Sequence, residues 1–87
     1  MIIAVNHKIN NPKDFWTSAQ ENLPKLPEMG VARVLQVMPH PTMEKATCIW
    51  EADSIEMLDK YLRDKVKDWS HDEYQEVDMA NAIGITL

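Results

Sequence analysis

The sequence predicts an α+β domain of order β-α-β-β-α-β with an extra C-terminal strand and an antiparallel sheet. Three observations carry this expectation. The stretch Cys48 to Trp69, CIWEADSIEMLDKYLRDKVKDW, runs a short apolar strand directly into a capped amphipathic helix. A β-branched first strand, Met1 to Ile9, leads through Asn10-Asn11-Pro12 into a second helical pattern. Two apolar runs, Val31 to Met38 and Ala46 to Ala52, flank Pro39-His40-Pro41-Thr42, whose prolines fix φ and give a hairpin turn.

The first helix has a definite start. Asn11 fits the N-cap, Pro12 the first helical position, and Asp14 the first turn, where the helix dipole favours an acid. Phe15, Trp16, Ala19 and Leu23 recur near helical spacing, Pro24 and Pro27 end the run, and Gly30 closes the connection. The second helix opens on Asp53-x-x-Glu56, a capping-box-like start. Ile55, Leu58, Leu62, Val66 and Trp69 then form one apolar stripe, while Glu56, Lys60, Asp64 and Lys67 lie opposite, with Glu56 and Lys60 spaced as an i,i+4 pair. Tyr74 to Met79 and Ala82 to Leu87 read as closing strand, with a bend at Asn81 or Gly84.

A chain of 87 residues makes one domain, residues 1–87. At this size only about 60–65% of the unfolded surface is buried. With three Trp, six Met and two Gly, the chain has more apolar surface than so small a core needs. Two short helices cover one face of a four-stranded sheet, which leaves side chains such as Ile49 on the other face in water. Pairing two sheets across a two-fold axis removes that exposure, so a homodimer is expected, with the terminal strand as an arm toward the partner. The net charge of −5 argues against a nucleic-acid binder, whose Lys and Arg concentrate on one face. The single Cys48 excludes an intramolecular disulfide. Met1 to Val5 is too short for a secretory apolar region, and no run approaches the roughly 20 apolar residues of a membrane span. A soluble, cytoplasmic protein with no membrane partner is expected.

Alternation along the strands sorts the candidate site residues. His7 shares a face with Ile3, Val5 and Ile9, where it is either a hydrogen-bonded core residue or a ligand or acid–base group. Asn6 faces the opposite way, so Asn6 and His7 do not line one pocket. Trp50 lies with Ala46, Cys48 and Ala52, a large ring among small neighbours and hence core or pocket wall. Glu51, on the other face with Thr47 and Ile49, is a carboxylate that would need a partner if buried. Tyr61 borders the apolar stripe of the second helix, and His71 falls with Asp72 and Glu73 in a predicted loop. His40 sits in the hairpin turn, and Cys48 in its apolar strand is expected to be inert. No Gly-rich phosphate loop, nucleophile elbow or paired catalytic His motif is present.

The strand-to-helix junction Ile49-Trp50-Glu51-Ala52-Asp53-Ser54 with Met57-Leu58-x-x-Tyr61-Leu62, the strand IIAVNHKI and the closing EYQEVDMANAIGITL resemble the dimeric α/β barrel superfamily. The resemblance implies ferredoxin-like subunits whose sheets form a barrel between them. Within it, the antibiotic-biosynthesis-monooxygenase-like branch implies an Asn on the first strand, an aromatic on the second helix and a His further along. Asn6, Tyr61 and His71 stand at those places, with Tyr in place of the usual Trp, and haem is the cofactor they would imply. A nickel-binding-like branch implies a His on the first strand and further ligands on the first helix. His7 stands for the first of these, Glu21 offers the only helical ligand, and a divalent metal is the cofactor this branch would imply. The chain itself requires neither cofactor. The functional expectation is a small homodimer that binds or transforms a small organic ligand in a cleft between sheet and helices, in a monooxygenase-like or isomerase-like way. The alternatives are a non-catalytic metal- or small-molecule-binding dimer and a dimeric interaction module.

Overall fold

The computed structural model describes residues 1–84. The elements in order are β1 (Ile2–Ile9), α1 (Pro12–Asn22), a 3-10 turn (Leu23–Lys25), β2 (Val31–Pro39), β3 (Lys45–Ala52), α2 (Ile55–Val66) and β4 (Ser70–Glu76). Asn11 caps α1 as its sequence predicts: its side chain accepts a hydrogen bond from the Asp14 amide, and Pro12 fills the first turn. The helix tightens into the 3-10 turn through Pro24 before the chain leaves it.

The strands form one sheet of order β2-β3-β1-β4, with every neighbouring pair antiparallel. The two most apolar strands, β1 and β3, are central, which is the ferredoxin-like arrangement that the element order predicts. One face of the sheet is apolar because β1 turns Ile3, Val5, His7 and Ile9 inward and β3 turns Ala46, Cys48, Trp50 and Ala52 inward. Phe15 of α1 and Leu58, Tyr61, Leu62 and Val66 of α2 close over that face to make the core. The opposite face carries Ala4, Asn6 and Lys8 of β1 and Lys45, Thr47, Ile49 and Glu51 of β3. No helix covers it.

Several expectations are corrected. The cap of α2 is Ser54, not Asp53; the Ser54 hydroxyl accepts from the Met57 amide, so the helix begins one residue later than the Asp53-x-x-Glu56 spacing suggests. It ends at Val66, where Lys67 adopts φ +52°, so Trp69 lies beyond the helix and packs against the core from the following turn. The i,i+4 ion pair on α2 joins Asp59 and Arg63 at 2.9 Å, and Glu56–Lys60 is not among the ion pairs of the described residues. Ile49 lies on the uncovered face, yet it is only 6% exposed because Ala4 and Gln36 flank it in the ladder. The last strand is Ser70–Glu76, which takes in His71 from the predicted loop and stops short of Met79. Val77–Gly84 is not strand; it turns at Asp78–Asn81 and bends at Gly84, while the rest of the predicted Ala82 to Leu87 strand lies outside the described residues. Among the described residues no helix is long and apolar enough to cross a membrane.

Candidate functional site

His7 is the one buried imidazole. It is 3% exposed, on a central strand and under α1. A buried imidazole needs a partner for its ring nitrogens. The register of β1 against β4 supplies one, because His7 lies directly opposite Asp72. Nδ1 of His7 and Oδ1 of Asp72 are 2.5 Å apart, and the same oxygen accepts the Ser70 hydroxyl at 2.7 Å. In the neutral tautomer that donates from Nδ1 to the Asp72 carboxylate, Nε2 is the acceptor nitrogen of the ring. The Phe15 ring stands edge-on to the imidazole with centroids 5.2 Å apart and holds its plane.

A cavity of about 40 Å³ lies between the helices and the sheet, walled by His7, Phe15, Trp16, Cys48, Trp50 and Tyr61 among others. It exceeds the ~10–15 Å³ that one water needs, and falls well short of the ~300–1,000 Å³ of drug-sized ligand sites. Its wall is almost wholly apolar. Trp50, one of its walls, has a buried Nε1 with no hydrogen-bond partner among the described residues. An orphaned N–H costs about 1–3 kcal/mol, so this donor calls for an acceptor. Tyr61 lies edge-on to Trp50 at 5.8 Å between centroids, and Lys65 sits over the Tyr61 ring at 5.7 Å. Burial, then the nearby Glu28, raises the Tyr61 phenol, with Lys65 opposing, so Tyr61 is neutral at pH 7. Burial, reinforced by the charge of Asp72, pushes the Cys48 thiol up to about 12, which removes it as a nucleophile, as its apolar strand predicts.

The structure therefore brings together three of the six residues singled out by sequence: His7, Trp50 and Tyr61. The other three lie on the far side of the sheet. Asn6 is exposed and accepts the Thr47 hydroxyl at 2.8 Å. Glu51 forms a partly exposed ion pair with Arg33 at 3.0 Å, an ordinary surface contact. His71 is exposed, lies opposite Lys8, and has its Nε2 3.9 Å from Glu73. One copy of the chain thus holds Asn6 and His71 apart from Tyr61, with the sheet between them. Glu21 is exposed on α1, and among the described residues no three His, Cys, Asp or Glu side chains converge as a metal site.

Asp72 is the residue of the candidate site that sequence reasoning passes over. Ser70, Asp72 and Tyr74 alternate as the half-buried residues of β4, a period of two that the fold shows and the polar segment SHDEYQE does not.

No family model, curated protein or solved structure matches the chain.

Proposed function

We propose that the chain binds a small, uncharged organic molecule in the cavity between sheet and helices, and that His7, oriented by Asp72, is its proton acceptor. The observation that carries this reading is one apolar cavity lined both by His7, which is paired with Asp72, and by Trp50, whose buried indole N–H has no partner among the described residues. The arrangement suits proton abstraction from a ligand whose oxygen accepts from Trp50 Nε1 while His7 Nε2 takes the proton. Such a step is the first half of an isomerase-like proton shift, and it equally prepares a carbanion or enolate for an oxygenase-like reaction. The Asp72 carboxylate stabilises the imidazolium that forms. Anything beyond a few heavy atoms requires α1 and α2 to part, and the Ser18 hydroxyl of α1, which donates to the Lys65 carbonyl of α2 at 2.5 Å, is the tie that would give way.

The uncovered sheet face supports the homodimer within the same proposal. Ile2 and Ala4, half-buried, lie on it with no helix above, at the end of the ladder away from Lys8 and Lys45, and a second copy stacked on that end would give the dimeric α/β barrel.

A thermal-shift screen of small neutral ketones, amides and phenols against wild type, His7→Gln and Trp50→Phe tests the site. The expected result is a compound that raises the wild-type midpoint in a dose-dependent way and loses that effect in both variants. A compound that stabilises all three proteins equally would place its site elsewhere.

A further inference from the structure

The ladder of β1 against β3 sets Lys8 directly opposite Lys45. Like charges in directly opposed positions destabilise a sheet, and the chain as a whole carries a net charge of −5. Among the described residues neither ammonium has a carboxylate within ion-pair distance, which is also true of Lys13, Lys25, Lys60 and Lys67; what sets Lys8 and Lys45 apart is that they face each other. Glu73, the acidic residue facing this side from β4, lies opposite Asn6 and is drawn toward His71. The two lysines border a hollow of about 480 Å³ at the hairpin end of the uncovered face, together with Asn6, Thr47, Met38 and His40. That volume is within the ~300–1,000 Å³ range of small-molecule sites. Thr47 donates its hydroxyl to Asn6 Oδ1 at 2.8 Å, which turns the Asn6 amide so that its NH2 is the end left to donate. Met38, half-exposed at 47%, and the prolines of the turn give the hollow an apolar wall.

We propose that this hollow is a binding site for a small organic anion, whose carboxylate or phosphate is held by Lys8, Lys45 and the Asn6 amide and whose carbon body lies against Met38. Two ammonium groups and an amide donor are complementary to one oxyanion, and the bound charge removes the repulsion between the lysines. His7 borders this hollow as well as the inner cavity, so Asn6 and His7 do share one lining, contrary to what the alternation of β1 predicts, although the His7 side chain itself is buried. The inference rests on the reading above only for what happens to the ligand, not for whether it binds.

The test is an amide NMR titration of the full chain with inorganic phosphate and, separately, with succinate, each against sodium chloride at matched ionic strength. Saturable shifts at Asn6, Lys8, Lys45 and Thr47 with at least one of the two anions are expected; phosphate alone would point to a phosphorylated ligand, and succinate alone to a carboxylic acid. The double variant Lys8→Gln/Lys45→Gln is expected to weaken that binding about tenfold or more, the effect of losing charge-assisted hydrogen bonds. Lys13→Gln/Lys60→Gln, which removes two lysines outside the hollow, is expected to leave it within about twofold; the neutral-ligand screen against His7→Gln and Trp50→Phe tests the inner cavity separately, so either reading can fail without the other. Equal shifts with chloride, shifts that rise linearly without saturating, or undiminished binding by the double variant would overturn the proposal.

Discussion

Cutting the His7–Asp72 contact should cost the protein a large share of its stability, and the loss should be shared between the two residues. The His7 side chain is 2% exposed and that of Asp72 is 8% exposed, so neither can turn to water when its partner is removed. Asp72 accepts two hydrogen bonds, from His7 and from Ser70. A hydrogen bond to an ionised group is worth about 1.5–3 kcal/mol, so Asp72→Ala should cost about 3–5 kcal/mol. His7→Phe keeps the ring volume but strands the carboxylate, and should cost a similar amount. A domain of this size has a total stability of about 4–13 kcal/mol, so each change consumes a large part of it. With a urea m-value near ~1.5 kcal/mol/M, a 3 kcal/mol loss moves the midpoint by about 2 M. Tryptophan fluorescence in urea, run on wild type, both single variants and the double variant, closes a thermodynamic cycle. The expected coupling is about 1.5–3 kcal/mol. Coupling below about 0.5 kcal/mol, the additivity of independent sites, would refute a bonded His7–Asp72 unit.

Three further outcomes follow from the same geometry. The folded chain holds the Cys48 proton up to about 12, above the ~8.5 of an unfolded thiol, so the stabilising contribution is intact below about pH 8.5 and is lost as the pH rises toward the folded value. Between about pH 8.5 and 9.5, below the ordinary ~10 of the tyrosines, wild type should lose up to about 1.4 kcal/mol per pH unit in urea titrations, and Cys48→Ala should lack most of that slope. Gly30 has φ +78° and a Cβ there would stand 2.3 Å from Met57 Cε; Gly30→Ala should cost about 1–2 kcal/mol, and shortening Met57 should not rescue it, because the backbone conformation and not the flexible methyl sets the cost. Ser54→Ala should lower stability by about 1 kcal/mol and Asp53→Ala by much less, which chemical denaturation distinguishes and which would reverse if the helix began at Asp53.

The sequence made legible what depends on local chemistry or on period. Asn11-Pro12 with Asp14 marks the start of α1 because capping is a short-range affair. Alternation in β1 and β3 separates His7 and Trp50 from Asn6 and Glu51, since a strand has only two faces. What stayed hidden depends on distant pairing. Asp72 meets His7 across 65 positions of chain, and nothing local in SHDEYQE announces the register. That segment also lacks the apolar alternation of a typical strand because it is a sheet edge, where charges discourage pairing with other chains. On sequence alone His71 therefore reads as a loop residue, and nothing in its neighbour Asp72 marks it as the partner of His7. The start of α2 slipped by one residue because Asp53 and Ser54 are both good caps, and only the contact of Ser54 with the Met57 amide decides between them.

Native mass spectrometry of the untagged protein as purified from cells tests the central claim most directly, because it reads subunit number and retained small molecules together. The account predicts a dimer that carries a non-covalently bound small organic mass, released on activation and absent from His7→Gln. A bare monomer at micromolar concentration, with His7→Gln indistinguishable from it, would contradict the account.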